Sequence, residues 1–150
     1  MQKLNFPAYH FRIKNNENKT LIFDEIRKKF IVLQPEEWVR QHCVKFLIET
    51  KNYPLSLINV EKTLIINNLS KRYDIVIFNR DGSIFLIIEC KAPNINITQE
   101  TFDQIARYNS VLNAEYLMVS NGLNHYYCKM DRENERYKFL KDIPEYKVQS

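Results

Sequence analysis

Asp74, Glu89 and Lys91 stand at the ends of two very apolar runs in the stretch "RYDIVIFNRDGSIFLIIECKAP", residues 72–93. The dipeptide Asp81-Gly82 between the runs is a strong hairpin signal, because glycine accepts the positive φ that a two-residue turn needs. A turn at 81–82 pairs residue 80 with residue 83. Counting back along both strands then sets Asp74 opposite Glu89, and Arg72 opposite Lys91. Directly opposed residues have Cβ atoms about 4.5–5.5 Å apart, a spacing at which like charges repel. Two carboxylates so placed can share a proton, pair with cations or hold a divalent metal. A hard ion such as Mg²⁺ takes one or two protein carboxylates and keeps room for water and phosphate oxygens. A lysine beside them can neutralise charge developing on a phosphate. Metal-assisted phosphodiester hydrolysis is one chemistry that fits; a charge-balanced surface cluster with Arg72 and Lys91 is the plainer alternative.

The elements that carry these residues follow from periodicity. On one face of the hairpin lie Tyr73, Ile75, Ile77, Leu86, Ile88 and Cys90, and the charged face becomes apolar at Val76, Phe78, Phe85 and Ile87. A ribbon apolar on both sides is an interior one, so its polar end should open on a cleft. Upstream, "QPEEWVRQHCVKFLIET" reads as a helix. Pro35 suits its first turn, Glu36 and Glu37 its positive end, and Trp38, Val39, Cys43, Phe46 and Leu47 its buried stripe. Downstream, "NITQETFDQIARYNSVLN" reads as a second helix with Phe102, Ile105, Ala106 and Leu112 inward, capped by Asn96 or Thr98. "SLINVEKTLII" and "EYLMVSN" are strands, and "LNHYYCKM" with "RYKFL" makes a closing hairpin. "YHFRIK", "TLIF" and "KKFIVL" are short strands near the start, with "NNENK" as a turn. The central order of helix, three strands, helix, strand predicts an α/β fold with a central sheet flanked by helices.

At 150 residues, with 45% hydrophobic and 27% charged residues, the chain is expected to form one domain over residues 1–150. Its +4 charge is compatible with a polyanionic partner without requiring one. Three cysteines without a C-x-x-C spacing argue against a disulfide framework or zinc cage and point to a reducing cytoplasm. The start, "MQKLNFPAYHF", lacks the layout of a secretion signal, and no apolar run is long enough to cross a bilayer. His10, His42 and His125 share no ligand spacing; Cys43 and Cys128 read as packing residues, and Glu61 as a surface strand residue, with a side chain directed to the cleft as the alternative.

Asp74, fourteen residues, then "ECK" resembles the PD-(D/E)xK nuclease signature, and the element order is similar to the restriction-endonuclease-like core. The segments "IRKKFIVLQPEEWVRQH", "RYDIVIFNRDG", "IIECKAP", "TFDQIARYN" and "VSNGLNHYYCKMD" resemble, as a set, the N-terminal nuclease domain of type I restriction enzyme R subunits. The resemblance implies Asp74 and Glu89 as acidic metal ligands, the Cys90 carbonyl as a further oxygen ligand, and Lys91 as the catalytic lysine. It likens Glu37 to a helical glutamate directed at the metal or its water, and Gln104 and Tyr108 to a Q-x-x-x-Y element that positions DNA. Spaced four apart, those two share one helical face. Two departures stand out. Tyr73 replaces the proline expected before the first acid, and no G-x-x-x-x-G-K-[ST] loop is present, so no ATP-driven motor is expected.

The expectation is a Mg²⁺- or Mn²⁺-dependent DNA endonuclease without the motor. Lys71, Arg72 and Arg107 would hold the DNA backbone in a salt-sensitive way. A homodimer would supply two sites for duplex cleavage. The alternative is a non-catalytic DNA-binding or regulatory module acting with other restriction subunits.

Overall fold

The computed structural model describes residues 1–131, 133 and 136–146. In chain order the elements are β1 (Ile13–Asn16), β2 (Lys19–Asp24), β3 (Lys29–Val32), α1 (Pro35–Lys45), β4 (Ile58–Ile66), β5 (Leu69–Phe78), β6 (Ile84–Cys90), α2 (Gln99–Asn109), β7 (Tyr116–Ser120), β8 (His125–Asp131) and β9 (Arg136–Leu140). The first three form a small antiparallel meander, and β4 to β9 form a six-stranded sheet in sequence order. Within that sheet only the β6–β7 pairing is parallel, because α2 carries the chain across between them. The fold is therefore a mixed-sheet α/β arrangement.

Each helix covers one face. Val39, Cys43 and Val44 of α1 pack with Ile75, Ile77, Leu86, Ile88 and Cys90. Phe102 and Ala106 of α2 pack with Val76, Ile87, Leu117, Val119 and Cys128 on the other side. The strands between the helices are apolar on both faces because both faces are covered. Pro35 opens α1 with Glu36 and Glu37 in its first turn, and the helix continues as a π-helical turn through Thr50. At the start of α2 the Thr98 hydroxyl accepts the Thr101 N–H at 3.1 Å, so Thr98 rather than Asn96 is the cap. Among the described residues no helix is long and apolar enough to cross a membrane.

Three local expectations need correction. The first strand runs Ile13–Asn16 rather than from Tyr9, because its ladder with β2 reaches only to Ile13↔Ile22 from the two-residue bend at Glu17–Asn18, both at positive φ. The turn between β5 and β6 spans Asn79 to Ser83, closed by the Asn79 N–H on the Ser83 carbonyl at 2.8 Å, and is longer than a two-residue turn. That places Phe78 opposite Ile84, but a bulge at Phe85 restores Ile77↔Leu86, Val76↔Ile87 and Ile75↔Ile88. The pairing deduced from Asp81-Gly82 thus holds in the body of the hairpin, reached by another route. Lastly, Tyr73 does not share a face with Ile75 but joins the α2 side. The change falls where Glu61 of β4 adopts a left-handed φ of 54° and the β4–β5 ladder skips the Glu61–Asp74 pair.

Candidate active site

Asp74 and Glu89 lie one step beyond the last β5–β6 ladder pair, where the two strands part at the end of the sheet. They remain coupled: the neighbouring Asp74 carboxyl favours the protonated form of Glu89. Asp74 is held on two other sides as well. Its Oδ2 accepts the Cys90 N–H at 2.8 Å, and its Oδ1 accepts Arg40 Nη2 at 2.8 Å. Glu89 has no such support, and its Oε1 is buried without a hydrogen-bond partner. Burial first, then the charge and hydrogen bond of Asp74, push the Glu89 carboxyl up to about 8, against the opposing pull of Lys71 and Lys91.

A 370 Å³ cleft opens beside Glu89, lined by Lys71, Lys91, Gln104, Ile105, Tyr108 and Asn109. Five residues singled out from the sequence therefore meet there: Lys71 from β5, Glu89 and Lys91 from the end of β6, and Gln104 and Tyr108 from one face of α2. The Lys91 backbone is fixed to β7 by its N–H on the Ser120 carbonyl at 2.8 Å. The Lys71 ammonium lies over the rings of Tyr108 and Tyr73, its Nζ 4.5 Å from the Tyr73 centroid. Burial lowers its proton affinity, and the charges of Glu89 and Asp74 only partly offset this.

Other sequence-derived candidates lie elsewhere. Arg72 does not face Lys91; its Nε donates to Glu61 Oε2 at 2.8 Å, and its side chain is largely exposed. Arg107 lines a separate 660 Å³ cavity between α2 and the β8–β9 hairpin. Glu37 is buried and engaged by Arg27 Nη2 at 2.8 Å, Arg40 Nη1 at 2.9 Å and Gln41 Nε2 at 3.2 Å. It reaches Asp74 only through Arg40. Its neighbour Glu36 is closer in electrostatic terms. Burial and the Asp74 charge raise the Glu36 pKa, while Arg40 and Lys91 oppose the rise.

Two residues of the site were not singled out from the sequence as its parts. Arg40 is buried and donates to Asp74, Glu37 and Glu61, with Glu36 at 3.4 Å. Burial alone would lower its pKa, but the bond to Asp74 and the surrounding carboxylates raise it above the ordinary arginine value. The clue was a lone arginine one turn after Glu36-Glu37, beside the buried stripe of Val39 and Cys43. Glu61, read as a surface strand residue, bridges Arg40 and Arg72 across from Asp74.

The type I restriction enzyme R protein N terminus family (HSDR_N) matches residues 35–144, which covers α1 to β9. The chain belongs to this family. Among solved structures, a chain described as an HsdR subunit fragment of a type I restriction enzyme from Vibrio vulnificus YJ016 is similar in fold, with a TM-score of 0.50 at 17% identity. The match covers 75% of this chain and 24% of that one, so the R-protein-like chain here spans about a quarter of that structure. No curated protein matches. The meander β1–β3 lies before the matched segment, yet it supplies Arg27 and Asp24 to the ion-pair chain behind the acids.

The donors suit a hard divalent ion. Two carboxylates converge, one with a buried unpaired oxygen, next to the Cys90 backbone. Among the described residues no third His, Cys, Asp or Glu completes a protein-only cage. That is the donor count at which Mg²⁺ retains waters and substrate oxygens.

Proposed function

We propose that this chain is a metal-dependent DNA endonuclease, related to the nuclease domain of type I R proteins. The observation that carries the reading is the coupling of Asp74 to Glu89, whose Oε1 is buried and unpaired, beside a cleft lined by Glu89 and Lys91. Asp74, Glu89 and the Cys90 carbonyl would hold Mg²⁺ or Mn²⁺. When bound, the ion supplies Lewis acidity and a water of lowered pKa. The chain's own residues do the rest. Arg40 and the Cys90 N–H fix the Asp74 carboxylate so that it does not reorient when a phosphate approaches. Lys91 points its charge toward the phosphate and steadies negative charge as it builds. Lys71, Tyr108 and Gln104 line the approach and orient the DNA backbone. Glu36 is better placed than Glu37 to act on a water near the acids.

A homodimer would present two sites for the two strands, and restriction subunits encoded elsewhere would be natural partners. Cysteines that are all free and buried fit a cytoplasmic home.

The test is plasmid nicking with Mg²⁺ and Mn²⁺. Wild type should nick and stop on chelation, while Asp74→Asn and Lys91→Ala should each lose about 10²-fold or more, the scale of removing one electrostatic stabiliser. Nicking at wild-type rate by both variants would refute the assignment. One observation favours a second reading, a DNA-binding or regulatory module: the Arg40 guanidinium already gives Asp74 a cation. Calorimetry separates the two. Mn²⁺ uptake that disappears in Asp74→Asn supports the enzyme, and no uptake even with DNA present supports the module.

A further inference from the structure

Beyond Asp74 and Glu61 the β4–β5 hairpin continues alone. Its pairs run from Lys62↔Tyr73 to Ile66↔Leu69, whereas β6 pairs with β5 only from Ile75 onward. Residues 62–73 thus form a two-stranded arm rooted at the acids and closed by Asn67 and Asn68, both at positive φ as a tight hairpin turn requires. One face of the arm rests on the α2 side through Leu64, Ile66 and Tyr73, and Lys71 ties it to Tyr108 at the cleft.

Beside Ile66, two apolar side chains of the tip stay open to solvent. Ile65 is 76% exposed and Leu69 74%, the most exposed large apolar side chains among the described residues. They pair with Ser70 and Ile66 respectively, so they lie on opposite faces and make the tip apolar on both sides. The arm carries Lys62, Lys71 and Arg72, the last paired with Glu61 at its root, and no acidic residue between 62 and 73. A second copy docked arm to arm by a two-fold axis would set these like charges against each other. A nucleic acid satisfies both features, with phosphates for the cations and base faces for the apolar tip.

We propose that the arm is a DNA wedge, in which Lys62, Lys71 and Arg72 grip phosphates while Ile65 and Leu69 enter the base stack, so that the chain selects duplex containing weakly stacked or mismatched pairs. Five residues of strand reach roughly 17 Å, or about five base-pair steps at 3.4 Å each. The wedge itself needs no catalysis; only a cut about five base pairs from it, at the acids where the arm is rooted, rests on the nuclease reading.

The experiment measures binding in chelator to a short duplex with one central mismatch beside 2-aminopurine, and to its fully paired counterpart. Unstacking is cheapest at a mismatch. Wild type should bind the mismatched duplex about tenfold tighter or more, with a rise in 2-aminopurine fluorescence. In Ile65→Ser/Leu69→Ser, which changes only exposed side chains, the preference should fall to near unity while the salt dependence of binding persists. Equal affinity of wild type for both duplexes overturns the wedge, as does a preference that survives the double substitution. A dimer that becomes monomeric in the double variant also overturns it, since the tip would then serve a second copy. Mapping nicks with Mn²⁺ separates this inference from the nuclease reading. A Leu69-dependent preference without nicking keeps the wedge and removes the nuclease, whereas nicking without the preference does the reverse.

Discussion

A carboxylic acid with one buried oxygen and no donor in reach is more stable with its proton on. For Glu89 the unfolded chain would bind that proton with the ordinary value of 4.5, and the fold pushes it up to about 8. Between those values the folded state holds more protons than the unfolded one, so stability falls as pH rises and the loss is complete above about 8. The scale is on the order of 5 kcal/mol before relaxation and water entry reduce it. Glu89→Gln keeps the neutral shape and cannot ionise. In chelator, wild type should lose stability from pH 5 to pH 9, whereas Glu89→Gln should stay nearly flat and be the more stable protein at pH 9. Urea midpoints at the two pH values give the comparison, and parallel curves would show that Glu89 ionises freely. The register around the acid pair was legible from the hairpin count, although the turn is longer than two residues and the bulge at Phe85 is what restores that count. Arg40 was not, since nothing local says that a helix residue will reach the end of a sheet 34 positions later.

At the scale of elements, periodicity located both helices and the strands between them, because each element buries an apolar face and the spacing of that face is written in the chain. What it missed is the change of face at Glu61 and Asp74, where simple alternation puts Tyr73 with Ile75 and the fold puts them on opposite sides. Asn67-Asn68 carried a usable signal. Both residues tolerate positive φ, and a two-residue turn there pairs Ile66 with Leu69 and so sets Glu61 opposite Asp74. The left-handed φ of Glu61 was not legible, because glutamate has no preference for that region and pays for it in steric strain. Replacing Glu61 by Ala or by Gly removes the same links to Arg40 and Arg72. Only Gly relieves the backbone, so Glu61→Gly should be more stable than Glu61→Ala by about 1 kcal/mol, read from denaturant midpoints. The opposite order would mean that the strand at this position is not held left-handed.

Across the whole molecule, a line of alternating charges joins the small meander to the acids: Asp24, Arg27, Glu37, Arg40, Asp74. Asp24 is 1% exposed and is satisfied by the N–H groups of Ile26 and Arg27, by Arg27 Nε and by Gln41. These bonds overcome the burial that would otherwise raise its pKa, and leave it below the usual carboxylate value. Arg27 is the hinge of the line, since it is the cation that bridges Asp24 of β2 and Glu37 of α1, with the neutral Gln41 amide donating to both. Removing it leaves two buried carboxylates short of a cation, a change that typically costs about 3–5 kcal/mol, whereas replacing a whole buried pair with apolar groups is often nearly neutral. Arg27→Met should therefore be strongly destabilising, and adding Glu37→Gln should recover part of the loss. A double-mutant cycle on urea midpoints reads the coupling directly. The same cycle has a consequence at the site. If the meander holds Asp74 in position through Glu37 and Arg40, Arg27→Met should weaken Mn²⁺ binding at temperatures where the variant is still fully folded. A variant that is less stable yet binds Mn²⁺ as tightly as wild type would confine the role of the meander to stability. Glu37→Gln distinguishes a ligand from a support in the same assay. As a support it should lower affinity only to the extent that Arg40 shifts, and Arg40→Lys, which keeps the charge but loses the planar fork, should weaken binding in the same way.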